Sequence, residues 1–208
     1  GAAVLDAERV DLVMLVGRAI EAAKPLADRS GMSIRLTSPA DTCPVDCDPR
    51  RVHRIVRNLI ENAIEHGDVR GVDVTIGSSD DAVAVSVRDF GVGLRPGESA
   101  LVFNRFWRAD PARARTTGGT GLGLAISLED ARLHGGWLEA WGEPGKGACF
   151  RLTLPMDRRV GFDDSPLPLE LGNELPAPEE SEVHVDDEQG DRTSPAATFV
   201  INSGERRP

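Results

Sequence analysis

Residues 48–93 read DPRRVHRIVRNLIENAIEHGDVRGVDVTIGSSDDAVAVSVRDFGVG, and two different periods follow one another within them. In the first twenty residues Val52, Ile55, Val56, Leu59, Ile60, Ala63 and Ile64 recur at helical spacing and form one apolar stripe. Asp48 is an N-cap, and Pro49 suits the first helical position, where a missing N–H costs nothing. The helix should run to about His66 and end at Gly67. From 72 onward the period drops to two. Val72, Val74 and Ile76, then Val83, Val85 and Val87, alternate with polar residues, which predicts half-buried strands over 72–78 and 82–89 joined by the turn Ser79-Asp80-Asp81.

The elements around this stretch are plainer. Residues 8–29 carry Leu12, Leu15, Val16, Ala19, Ile20 and Ala23 at helical spacing, and 33–38 and 42–47 read as short strands. Between 91 and 120 there is little regular period, and the segment holds Arg105, Arg108, Arg113 and Arg115. A loop of that length inside a compact domain is usually a functional lid or disordered. A further helix is expected over 121–134, stopped by Gly135-Gly136, then strands over 137–141 and 148–154 flanking the turn 143–147. Beyond Pro155 the pattern vanishes and Pro, Glu, Asp and Ser dominate. Too little apolar surface remains there to offset the cost of ordering, so 157–208 is expected to be an acidic disordered tail. No internal repeat is visible.

The chain has 208 residues and a formal net charge of −10, from 24 Lys and Arg against 34 Asp and Glu. Thirteen acidic and five basic residues fall in 157–208, so the tail carries −8 of that charge and the remainder is nearly neutral. With no basic surplus to neutralise phosphates, a general nucleic-acid binder is disfavoured. The three cysteines, 43, 47 and 149, do not form a disulfide framework and suit a reducing compartment. Cys43 and Cys47 find no second Cys/His pair to complete a zinc site. No apolar run approaches the ~20 residues of a membrane span, and no signal peptide opens the chain. Because it begins with Gly1 rather than Met, the chain is expected to be a C-terminal, cytoplasmic piece of a longer protein.

Three clusters carry chemistry. Asn58 and Asn62 lie within about 40° of each other on the expected helix, at the edge of its apolar stripe. Their neutral oxygens suit a Mg²⁺ ion that keeps waters and takes most of its ligands from phosphates. At a strand end, Asp89 in Asp89-Phe90-Gly91-Val92-Gly93 is an acceptor suited to an exocyclic amine, with glycines that let backbone approach a flat ring. Gly118-Gly119-Thr120-Gly121-Leu122-Gly123-Leu124 runs straight into a helix, whose free N–H groups and dipole favour phosphate. The run lacks the Gly-Lys-Ser/Thr of a P-loop and the parallel βαβ setting of a dinucleotide fingerprint.

Taken in order, Asn58-Leu59-x-x-Asn62-Ala63, Asp89-x-Gly91-x-Gly93, Phe103-x-x-Phe106 and Gly119-x-Gly121-x-Gly123 resemble the N, G1, F and G2 boxes of sensor histidine kinases. These kinases belong to the wider group of ATPases that includes gyrase, Hsp90 and MutL. The resemblance covers roughly 10–155. It implies a two-layer α/β sandwich, a mixed, mainly antiparallel sheet covered on one face by helices (the Bergerat ATP-binding fold). It also implies three parts: 1–10 as the end of a linker from a dimerisation and phosphoacceptor domain, 11–156 as the ATP-binding catalytic domain, and 157–208 as the tail. ATP and Mg²⁺ are the implied cofactors. Asn62 would hold Mg²⁺, with Asn58 supporting the phosphates as its catalytic companion. Asp89 would bind the adenine amine, and Gly91 and Gly93 would shape its pocket. Gly119, Thr120, Gly121, Leu122 and Gly123 would cradle the phosphates under a lid over 95–120. Phe103 and Phe106 would anchor that lid to the core, and Arg105 and Arg108 would contact the triphosphate. Implied partners are a phosphoacceptor domain of the same kinase and a response regulator, with no nucleic acid. The full-length protein would be a membrane-anchored homodimer with this domain facing the cytoplasm, and this piece a monomer.

Two departures qualify the resemblance. Many members carry a basic residue where Glu65 stands, so that phosphate contact is either lost or supplied by His66 or an arginine. The phosphoacceptor box, a His followed by Glu or Asp, is absent: none of His53, His66, His134 and His184 is followed by an acidic residue. In hydrolysing relatives a glutamate stands where this sequence has Asn58, and a carboxamide cannot act as a base. Glu61 points about 100° away from Asn62. Slow hydrolysis is therefore expected, with in-line transfer to a histidine supplied from elsewhere. Serine kinases of the anti-sigma-factor type share the nucleotide boxes but fit the phenylalanine box and linker less well. A nucleotide-binding module without catalysis is the other alternative.

Overall fold

Two aspartates define where the long helices begin. The Asp11 carboxylate accepts from Val13 N, and that of Asp48 accepts from Arg50 N and Arg51 N. Both residues are extended, as N-caps are. The computed structural model describes residues 5–108, 121–169 and 197–201, the last five as backbone only. It contains β1 (Glu8–Asp11), α1 (Leu12–Arg29), β2 (Ile34–Ser38), β3 (Pro44–Cys47) and α2 (Pro49–His66). There follow β4 (Val72–Ser78), β5 (Ala82–Asp89), the one-turn α3 (Glu98–Leu101), α4 (Gly123–Leu133), β6 (Trp137–Glu143), β7 (Gly147–Pro155) and β8 (Ala197–Ile201).

Six strands form one sheet in the order β6-β7-β5-β4-β2-β8. Only β2 and β4 pair parallel; the other neighbours are antiparallel. β1 and β3 make a separate two-stranded ribbon. α1, α2 and α4 cover one face, and Leu12, Val16 and Ile20 of α1 meet Ile55 and Leu59 of α2 over Val74, Ile76, Val85, Val87, Phe150 and Leu152. This is the expected two-layer α/β sandwich. Alternation on β4 and β5 delivers one apolar row to the helices, and the 3.6 period on α2 returns a matching stripe.

The structure corrects two boundaries. Residues 8–11 are not helical: they pair with β3, and Val10 stands opposite Val45. The apolar stripe is silent there because only Leu12 onward belongs to it, so the chain from Glu8 is part of the domain rather than a linker. Second, the tail does not begin at 157. Residues 157–169 cross the sheet face opposite the helices. Phe162 packs on Trp137 with ring centroids 4.4 Å apart, Ser165 Oγ lies 2.8 Å from Thr153 Oγ1, and the Leu167 carbonyl accepts from Arg151. Leu167 fills the space left by Gly77, where a Cβ would stand 2.6 Å from its Cγ. Val160, Phe162, Leu167 and Leu169 follow no regular period that could be read locally, and the glycine notch that receives Leu167 lies ninety residues away. β8, also within the expected tail, adds to the β2 edge. The rest of the expected acidic tail, 170–196 and 202–208, lies outside the described residues.

Candidate functional site

α2 brings both asparagines to the side facing α4. Asn58 Nδ2 donates to the Gly123 carbonyl at 3.2 Å and to Ser127 Oγ at 3.1 Å. Asn58 therefore lies beneath the first turn of α4 and holds the helix end in place. One turn further, Asn62 is half-buried and makes no side-chain hydrogen bond among the described residues. Its carboxamide oxygen can serve a cation. A single neutral oxygen fits Mg²⁺, which keeps waters and takes its remaining ligands from substrate phosphates.

The N-terminus of α4 differs from those of α1 and α2. Leu122 occupies the cap position and provides no side-chain hydrogen bond. Among the described residues no side chain caps the first turn, and the helix dipole favours an anion there. Gly121 has φ +67, and a Cβ on it would stand 3.0 Å from Phe106 Cα. At Gly123 the nearest atoms that a Cβ would meet are those of Asn58, at 3.6 Å. Gly119 and Thr120 lie outside the described residues, as do Arg113 and Arg115.

Asp89 closes β5 and is 1% exposed. Its Oδ1 accepts from Gly91 N at 2.9 Å and Ala148 N at 3.3 Å, which fixes the carboxylate and leaves Oδ2 for a donor on a ligand. Burial pushes its pKa above the ordinary carboxylate value, against the lowering effect of the two backbone N–H groups and His66. The glycines next to it permit close approach of the chain to itself. A Cβ at Gly91 would stand 1.8 Å from the His66 carbonyl, and one at Gly93, where φ is +70, 1.8 Å from that of Glu143. They bring the end of α2, the start of the lid and the β6–β7 turn together around Asp89. His66 itself is exposed at the end of α2.

The lid residues divide. Phe103 packs edge-on against Phe150, centroids 6.2 Å apart, as an anchor should. Phe106 corrects the expectation of a second anchor: it is 72% exposed, with a left-handed φ of 65. A three-residue spacing places two side chains on one face only in a continuing helix. Here α3 ends at Leu101 and the backbone turns away from helical geometry at Phe106. That side chain instead borders a groove of about 540 Å³ with Arg51, Arg54, Arg105, Leu122 and Ile126. Arg108 lies 3.9 Å from Glu65, so the acidic residue at the departure from the family pattern contacts a lid arginine.

Sequence reading missed the polar face of α4. Ser127, Asp130 and His134 are all buried and turned toward α2. Arg51 Nη1 donates to Asp130 Oδ1 at 2.7 Å, and Arg54 Nε to Oδ2 at 3.0 Å. His134 Nδ1 lies 2.6 Å from the Asp130 carbonyl, so it carries the ring proton, and Nε2 accepts from Asp48 N at 3.0 Å. Burial pushes the His134 pKa down, which suits a neutral acceptor. The signal was present in the spacing, since 123, 127, 130 and 134 recur every three or four residues.

Residues 47–158 match the sequence family described as histidine kinase-, DNA gyrase B-, and HSP90-like ATPase. The chain is 55% identical over 169 residues to the sensor histidine kinase MtrB of Mycobacterium leprae, covering 81% of this chain but 30% of MtrB. It therefore spans about a third of the length of that relative. Among solved structures, full-length ShkA in complex with AMPPNP superposes with a TM-score of 0.67 at 29% identity, covering 80% of this chain and 34% of ShkA. The mycobacterial sensor histidine kinase MprB gives 0.61 at 28% identity, covering 71% and 96%. With its boxes placed as described on this sandwich, the chain belongs to the histidine kinase-, DNA gyrase B- and HSP90-like ATPase family.

Proposed function

We propose that this chain is the ATP-binding catalytic domain of a two-component sensor histidine kinase. It passes the γ-phosphoryl group of ATP to a histidine on a separate dimerisation domain, from which the group moves to an aspartate of a response regulator. The observation that carries this reading is Asp89, a buried carboxylate with one oxygen locked by two backbone N–H groups and the other left to accept from the adenine amine. Asn62 would hold Mg²⁺, which neutralises charge on the triphosphate, and the uncapped first turn of α4 would receive phosphate oxygens. Asn58 would act by holding that turn. Likeness to MtrB favours a regulator similar to MtrA and a membrane-anchored homodimeric parent with this domain on the cytoplasmic side.

Transfer rather than hydrolysis fits the residues around the γ-phosphate position. Asn58 commits its amide nitrogen to α4, and Glu61 pairs with Arg57 at 3.5 Å rather than with anything near Asn62. Neither can serve as a base for water. Calorimetry with Mg²⁺ and ATP tests the site: the chain should bind, and Asn62→Ala and Asp89→Ala should each weaken binding at least tenfold, about 1.4 kcal/mol or more. Absence of binding by the unaltered chain would rule the reading out, and rapid ATP hydrolysis would rule out the transfer assignment.

A further inference from the structure

We propose that Asp130 is a positioning residue for this nucleotide site: through Arg51 and Arg54 it sets the register of α4 on α2, and so the placement of the phosphate-binding helix end relative to Asn62. The proposal rests on the nucleotide-binding reading above and assigns a role to a residue outside all four boxes.

The two helices run antiparallel, and their polar contacts form rungs in strict order. Asp48 meets His134, Arg51 and Arg54 meet Asp130, and Asn58 meets Ser127 and Gly123. Asn62 lies one turn beyond Asn58 on the same helix, past the rung at Gly123. From Asp130 to Gly123 is about 10 Å of helix, so a rotation or slide at one end is carried to the other.

Apolar packing does not fix this register by itself. The fully buried residues of α4 are Ala125, Ser127, Asp130 and Ala131; its leucines 124 and 128 are only partly buried against the core. Small apolar faces can slide past one another at little cost, whereas a carboxylate held by two guanidinium groups has one geometry. The Asp130 side chain is 3% exposed, and those of Arg51 and Arg54 are 25% and 45% exposed. The charge that cannot reach water is on α4, and the charges that hold it lie one turn apart on the helix that carries both asparagines.

The adenine pocket supplies an internal control. It is built from the ends of β5 and α2 and the β6–β7 turn, and the N–H groups that hold Asp89 come from Gly91 and Ala148, not from α4. Asp130→Asn keeps the size of the side chain and leaves two arginines that can turn to solvent. Affinity for Mg²⁺-ATP should fall about tenfold while affinity for adenosine, which has no phosphates, stays within twofold. Arg54→Met, a milder change at the more exposed partner, should show the same selectivity at about threefold. Both ligands are titrated by calorimetry on the 208-residue chain, with thermal melts to confirm folding. If Mg²⁺-ATP and adenosine weaken in proportion in the folded Arg54→Met chain, or if neither changes in both variants, Asp130 is not a positioning residue. If the unaltered chain binds neither ligand, the nucleotide reading fails and the proposal with it.

Discussion

Asp89 combines two properties that oppose one another. A carboxylate buried to 1% exposure is costly to ionise, and its pKa is raised by that burial. Ionised, it is also a strong acceptor for an amine, so the site keeps a group that weakens the ligand-free fold. For an acid whose folded pKa lies above the unfolded value, the contribution to stability is full below 3.8 and is lost as pH rises through the folded pKa. Asp89→Asn retains an oxygen for Gly91 N and Ala148 N without the charge. The variant should melt a few degrees higher than the parent at pH 7, with the gap closing toward pH 4, and should lose ATP binding. Thermal melts across that range, without nucleotide, check the sign; a variant less stable than the parent at pH 7 would contradict it.

At the scale of elements, the glycines of the site fall into two kinds that look alike in the sequence. Gly91 is a packing requirement, since a Cβ there would stand 1.8 Å from a carbonyl oxygen of α2. Gly123 is not, because a Cβ would make an ordinary 3.6 Å contact with Asn58. Gly91→Ala should therefore destabilise by about 3 kcal/mol or more, through forced separation of α2 from the end of β5. Gly123→Ala, at the start of a helix, should leave the ligand-free fold unchanged or up to about 1 kcal/mol more stable. Its cost should appear in Mg²⁺-ATP affinity, where phosphate must approach the first turn closely. Urea titrations paired with calorimetry separate the two kinds, and equal stability losses in both variants would refute the distinction. The helix boundaries show the same economy: Asp11 and Asp48 cap α1 and α2, while α4 is left uncapped where a ligand is expected.

For the whole molecule, the segment 157–169 decides where the domain ends. Phe162 on Trp137, Leu167 in the Gly77 notch and Arg151 on the Leu167 carbonyl shield one end of the outer sheet face from water. The family match stops at 158, so a chain cut to that boundary would expose Trp137 and Thr153 and leave Arg151 with Glu139 as its remaining partner. Truncation after Met156, compared with truncation after Leu169 so that β8 is absent from both chains, should lower the melting temperature by roughly 4 °C or more, corresponding to the loss of one or two buried apolar side chains. Leu167→Ala should reproduce part of that loss. Coinciding melts of the two truncated chains would show that the segment contributes nothing to the fold.

What the sequence determined by itself is whatever repeats locally. α2, β4 and β5 were legible to the residue because the stripe from Val52 to Ile64 and the alternation from Val72 to Val87 each carry their own period, bounded by Asp48, Gly67 and a polar turn. Asn58, Asn62, Asp89, Gly121 and Gly123 could be picked out as candidates because the chemistry proposed for them needs fixed short spacings on those elements. Only the tertiary structure decided what depends on contacts distant in sequence. The strand at Glu8–Asp11 exists because β3 pairs with it. Phe106 points outward because α3 stops at Leu101, and 157–169 is ordered because Gly77, far upstream, leaves room for Leu167. Nothing in the local sequence marks Asp130; it gains its partners only because α2 places Arg51 and Arg54 against it. Periodicity specifies which face of an element is buried, and it carries no information about which partner meets that face.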